Sequence, residues 1–197
     1  MRQVLQNELG LVDNFIIGHI GRFVYQKNHE FLIRLFHHVA QELPSAHLVL
    51  VGDGPLRESV LNQLKLLGIL ERVTYLGLRD DVYNLYSLFD VFYFPSWYEG
   101  LGVVAIESQA AKLPILMSNF VPDEAIIDSS LAKKIGITDE DIDIWINETK
   151  RIYSNINHPC NGVNPRIGIN NCINTEGYNI QLEAKRLEEL YCEYSKI

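Results

Sequence analysis

The chain has 197 residues, 47% hydrophobic and 21% charged, a profile that excludes a disordered or fibrous protein and fits one globular domain, or one domain with an appendage. Its net charge of −8 excludes non-specific attraction to nucleic acid or to an anionic membrane surface, so each basic group has to be judged by its neighbours. Cys160, Cys172 and Cys192 are odd in number without C-x-x-C spacing, and no apolar run reaches the roughly 18 residues of a membrane span, which argues against a disulfide framework, a zinc site and a transmembrane segment.

In chain order, residues 1–13 read as a linker or N-terminal extension without the apolar core of a signal peptide, and the cysteine usage leads us to expect a reducing, cytoplasmic location. "NFIIGHIG" (14–21) predicts a strand, and 29–43 then switches to helical spacing, with Phe31, Leu32, Leu35, Phe36 and Val39 on one stripe. "AHLVLVGDGP" (46–55) predicts a second strand ending in a glycine-rich turn. The amphipathic segment 56–68 follows as a helix closed by glycine. Strands at 72–77, 90–96 and 113–118 alternate with helices at 81–89 and 102–112. Strands that are apolar throughout, each followed by a helix, predict an α/β fold: a Rossmann-like parallel β-sheet with helices on both faces. Ligands bind such sheets at the carboxyl ends of the strands. Beyond about residue 128 the rhythm weakens. Residues 138–156 predict one more helix, opened by acids that suit its dipole, and the Rossmann-like domain is placed at 14–156. An irregular, Asn-rich loop is expected at 157–177 and a closing helix at 178–197.

Gly18 and Gly21 follow the first strand, with Arg22 and Lys27 in the turn before the first long helix. Small residues at a strand end, two cations and a helix N-terminus form a physical recipe for a diphosphate, because the backbone approaches closely and Arg can bond two oxygens at once. The alternative is that both cations are solvated loop residues. Neither the G-x-x-x-x-G-K-[ST] loop nor G-x-G-x-x-G is present. Gly52 and Gly54 end the second strand in a tight turn on the same side of the sheet.

"YEGLGVVAIE" (98–107) sets two carboxylates around a turn into a helix. There the amides of Gly100, Leu101, Gly102 and Val103 face an anion favoured by the helix dipole. Glu99 cannot bind phosphate itself, but it can accept hydrogen bonds from sugar hydroxyls. Glu107 lies about 6–8 Å further along the axis, within reach of another hydroxylated part of one ligand. Two acids around one anion-binding turn suit a nucleotide sugar. The alternative is one solvent-exposed loop acid and one acid on a helix face.

The stretches "GRFVYQKNHEFLIRLF", "HLVLVGDGPLRESV" and "RVTYLGLRDDVYNLYSLFDVFYFPSWYEGLGVVAIESQAAKLPIL" resemble the C-terminal half of retaining glycosyltransferases of the GT-B fold, the family 4 group of nucleotide-sugar-dependent enzymes. The likeness runs over residues 14 to 128, and E-x7-E is its most diagnostic element. It implies half of a GT-B fold acting as the donor-binding domain of a glycosyltransferase in polysaccharide or glycan biosynthesis. It also implies Arg22 and Lys27 on the donor diphosphate, Glu99 on the donor sugar, Glu107 on the ribose, the 100–103 amides on phosphate, and Arg79 and Asp80 near the base. Gly21 and Gly54 complete the implied donor-binding set. Such a site works through electrostatic stabilisation of the leaving diphosphate; no cofactor and no metal are expected. The implied partners are a UDP- or GDP-sugar donor and an acceptor glycan or lipid-linked sugar. The acceptor would be bound by an N-terminal domain absent from this chain, so the chain alone is expected to be inactive. The full-length enzyme would be cytoplasmic or peripheral at the inner membrane face. The two acids also raise a glycosidase, which the adjacent cations and helix geometry disfavour. A non-catalytic nucleotide-sugar binding module and a GT-B-like epimerase are the other readings. Residues 129–177 depart from the family pattern.

Overall fold

The computed structural model describes residues 1–157; of the loop expected over 157–177 only Asn157 is described, as the last residue of a helix, and the rest of it and the closing helix expected over 178–197 lie outside the described residues. Helix α1 (Arg2–Leu9) and strand β1 (Phe15–Ile20) open the chain, followed by α2 (His29–Glu42), β2 (Ala46–Val51), α3 (Arg57–Leu66) and β3 (Val73–Tyr75). The order continues with α4 (Val82–Leu88), β4 (Val91–Phe94), α5 (Val103–Ala110), β5 (Ile115–Ser118), β6 (Ala132–Ile135) and α6 (Ile142–Asn157). The six strands form one sheet in the order β3-β2-β1-β4-β5-β6, and every neighbouring pair is parallel. This is the predicted Rossmann-like sheet, and its strand order reverses between β1 and β4.

Strands β1, β2, β4 and β5 are buried throughout, and their side chains sort by a period of two. Ile17, Leu48, Leu50, Val91 and Tyr93 pack with Phe31, Leu35 and Val39 of α2 and Trp145 of α6. The alternating residues Ile16, Val49, Val51, Phe92 and Phe94 pack with Leu5 of α1, Leu85 and Leu88 of α4 and Ala105 of α5. All five stripe residues of α2 are buried. At about 1.5–3 kcal/mol for each large side chain taken out of water, these two layers supply the main driving force for folding.

Three differences from the sequence-based expectations have physical causes. The stretch expected as a linker contains α1, which docks because Arg2 donates from Nη2 to Asp90 Oδ1 at 2.9 Å while Leu5 is buried. Asp90 Oδ2 accepts from the Ile16 amide at 2.7 Å, so this carboxylate ties α1 to the start of β1. Where the rhythm weakens beyond residue 128 the sequence shows no strand, yet β6 extends the sheet by pairing with β5. Its sequence AKKI hides it, since an edge strand with two lysines lacks the continuous apolar run of the central strands. The helix expected from 138 starts with a 3-10 turn (Asp139–Asp141), where Thr138 and Asp141 form a reciprocal capping box; α6 begins only at Ile142.

Candidate functional site at the strand-order reversal

The loops after β1 and β4 leave neighbouring strands at the point where the sheet order reverses, so both open over the crevice in which such sheets hold ligands. The first loop makes a 3-10 turn (Tyr25–Lys27) and ends at Asn28, whose backbone is left-handed and whose side chain accepts from the Phe31 amide to cap α2. The second loop runs from Pro95 to Gly102, which enters α5 at φ 73°, a conformation that favours glycine.

These loops bring Lys27 and Glu99 together across 72 residues of sequence: Lys27 Nζ lies 2.6 Å from Glu99 Oε1, with the two side chains only 14% and 7% exposed. The ammonium also sits 4.8 Å from the centre of the Phe94 ring, a favourable cation–π approach. Gln26 donates from Nε2 to Glu99 Oε2 at 3.2 Å and to the Tyr98 carbonyl at 2.9 Å, while the Trp97 amide donates to the Gln26 carbonyl at 2.8 Å. The pair is thus sheltered and its carboxylate has a donor on each oxygen.

The turns beneath the pair are main chain against main chain. Gly21 donates to the Val51 carbonyl and Phe23 to that of Asp53, each at 3.0 Å. Gly52 adopts φ 124°, and a Cβ there would meet the Gly21 carbonyl oxygen at 2.1 Å. A Cβ on Gly54 would meet the Phe23 carbonyl oxygen at 2.6 Å. Both glycines shape the β1 turn by letting it approach. Beside them, the Gly21 backbone lies against the Lys27 stem, since a Cβ there would stand 3.2 Å from Lys27 Cδ.

The other predicted residues sit around this centre. Arg22 is exposed. Gly100 and Leu101 are exposed in the second loop, Gly102 is buried, and Val103 opens α5 with its side chain toward solvent. Glu107, on α5, accepts from the Tyr86 hydroxyl of α4 at 2.6 Å through Oε2; burial first, and then this bond, pushes the Tyr86 phenol well above its usual range. Arg79 is held bidentately by Asp81, at 2.7 and 2.8 Å, in the loop after β3, which raises its pKa further; Asp80 beside it is exposed. The structure therefore joins Lys27 directly to Glu99 and leaves Arg22, Glu107 and Arg79 with other surroundings.

Sequence reasoning missed Gln26 and Tyr86, whose roles arise only from tertiary contact, and it missed a histidine pair behind the site. His19 on β1 and His29 at the start of α2 are both buried, with ring centres 4.9 Å apart. His19 Nδ1–H donates to the Tyr93 carbonyl at 2.9 Å. Burial holds the His19 pKa down to about 4 and that of His29 to about 2, and the Lys27 charge pushes both the same way.

The model of the group 1 glycosyl transferases matches residues 14–155, and the chain belongs to that family. The match includes residues 129–155, which the sequence analysis set outside the family pattern. Among its relatives, the putative glycosyltransferase EpsF of Bacillus subtilis (strain 168) is 37% identical over 133 residues, covering 68% of this chain and 34% of EpsF. Anabaena Alr3699/HepE, solved in complex with UDP-glucose, has a similar fold at a TM-score of 0.67 and 22% identity, over 78% of this chain and 43% of that one. The C-terminal domain of the group 1 protein LpcC from Francisella tularensis superposes with a TM-score of 0.67 at 17% identity, over 78% of this chain and 83% of that domain. The chain thus spans about a third of EpsF and most of an isolated C-terminal domain. Among the described residues, no helix is long and apolar enough to cross a membrane.

Proposed function

We propose that this chain is the donor-binding half of a retaining GT-B glycosyltransferase of family 4, which moves a sugar from a nucleotide sugar to a glycan or lipid-linked acceptor in polysaccharide or glycan biosynthesis. The observation that carries the reading is the sheltered Lys27–Glu99 pair at the strand-order reversal, in a chain of this family. A nearly dry cation beside a carboxylate matches the junction of a diphosphate and a sugar: Lys27 turns to phosphate oxygens, and Glu99 accepts from sugar hydroxyls. The likeness to an isolated C-terminal domain, and the short span of EpsF, support assigning the acceptor to an N-terminal half.

In this reading each residue has a task that its geometry allows. Arg22, exposed beside the glycine turn, and the first amides of α5 join Lys27 in taking the negative charge that grows on the diphosphate as the bond to the sugar breaks. Glu107 keeps Oε2 on Tyr86 and offers Oε1 to a ribose hydroxyl. Arg79 and Asp80 are assigned to the base, and Arg79 would have to share or leave Asp81. The charge is handled by side chains and amides, so the proposed donor site works without a metal.

Calorimetric titration of the 197-residue chain with UDP, GDP, ADP and their glucose derivatives, with and without magnesium, tests the assignment. Metal-independent binding of one nucleotide series, weakened about tenfold or more by Lys27→Ala, is the expected result. Absence of heat with every ligand overturns it, and binding that requires magnesium overturns its metal-free form.

A further inference from the structure

Gln26 occupies a place that neither the family likeness nor the charge pattern singles out. Its one side-chain nitrogen donates both to Glu99 Oε2 and to the Tyr98 carbonyl, and its main-chain carbonyl accepts from the Trp97 amide. Three consecutive residues of the β4 loop are therefore fastened to a single residue of the β1 loop. The carboxylate of Glu99 is consequently shared between two unlike donors: Lys27 on Oε1 at 2.6 Å and Gln26 on Oε2 at 3.2 Å.

The two donors differ in what a bound anion does to them. An ammonium is drawn to a diphosphate and turns away from Glu99, whereas a neutral amide has no charge to be drawn. Once Lys27 has turned, Gln26 is the remaining described side chain that fixes the carboxylate plane. An acid held in one orientation discriminates among hydroxyl arrangements, while one free to rotate about its terminal torsion does not. We infer that Gln26 is a positioning residue for sugar recognition: it holds Glu99 in its hydroxyl-accepting orientation when Lys27 is engaged by the diphosphate. This rests on the donor-site reading above.

The test compares UDP with UDP-glucose, or GDP with GDP-mannose if the titration above selects guanine, on the 197-residue chain. Gln26→Ala is expected to weaken the sugar nucleotide about tenfold and to leave the nucleoside diphosphate within about twofold. Gln26→Glu keeps the shape but sets a carboxylate against Glu99, and the sugar-specific loss is expected to be larger. In a Glu99→Gln background, Gln26→Ala is expected to cost less than about twofold more, because the two residues act through one contact. Far-UV circular dichroism checks that each variant stays folded. Equal losses for both ligands, or an undiminished loss in the Glu99→Gln background, overturn the inference and reduce Gln26 to a loop fastener. If the unmodified chain binds neither ligand, the donor-site reading falls and the inference with it.

Discussion

Removing either member of the Lys27–Glu99 pair leaves the other charge poorly hydrated, since both side chains are largely shielded from water. Lys27→Met and Glu99→Gln are each expected to lower the unfolding free energy by about 1–3 kcal/mol, and the double variant to lose clearly less than the sum. Urea unfolding of the four proteins measures this; strict additivity would show that the two charges are compensated independently. The chemistry of both residues was legible in the sequence, as a cation in a glycine turn and an acid before a helix. Their pairing was not, because 72 residues separate them and only the parallel contact of β1 with β4 closes that gap. Gln26 was illegible for the same reason, and Tyr86 reads as one more aromatic on an apolar helix until its hydroxyl is seen on Glu107.

At the level of elements, β1 and α2 meet through His19 and His29, with the His29 ring stacked on Phe23 at 4.2 Å between centres. Both imidazoles are held neutral: their folded pKa values, about 4 and about 2, lie below the ordinary 6.5 because burial disfavours the charged ring. At these two positions the unfolded chain takes up protons below pH 6.5, whereas the folded chain does so only near pH 4 and below. Stability from this pair is therefore fully present above pH 6.5 and falls as pH drops toward 4, by several kcal/mol across the window. His29→Phe, which preserves the stack, is expected to flatten this slope in unfolding experiments between pH 4.5 and 7; an unchanged slope would place the linkage elsewhere. Strands β1, β2, β4 and β5 were legible as apolar runs because they are buried on both faces. Strand β6 and helix α1 were not, since one is a lysine-bearing edge and the other buries little beyond Leu5 and is tied by Arg2 to Asp90.

Across the whole molecule the net charge of −8 opposes the approach of any anionic ligand, and the basic groups of the proposed donor site are unequally placed to counter it. Lys27 is cancelled by Glu99 and sheltered, so it projects almost no field into solvent, whereas Arg22 stands exposed at the same turn. On the proposed donor-site reading, arrival and retention of a nucleotide sugar fall to different residues. Stopped-flow measurements are expected to show Arg22→Gln slowing association several-fold at low salt, and Lys27→Met chiefly hastening dissociation. A slower arrival in Lys27→Met equal to that in Arg22→Gln would contradict this division. In the proposed site, a cation paired with its own protein's carboxylate until the ligand lands works as a latch with no reach, and the capture of ligand from solution is left to its exposed neighbour.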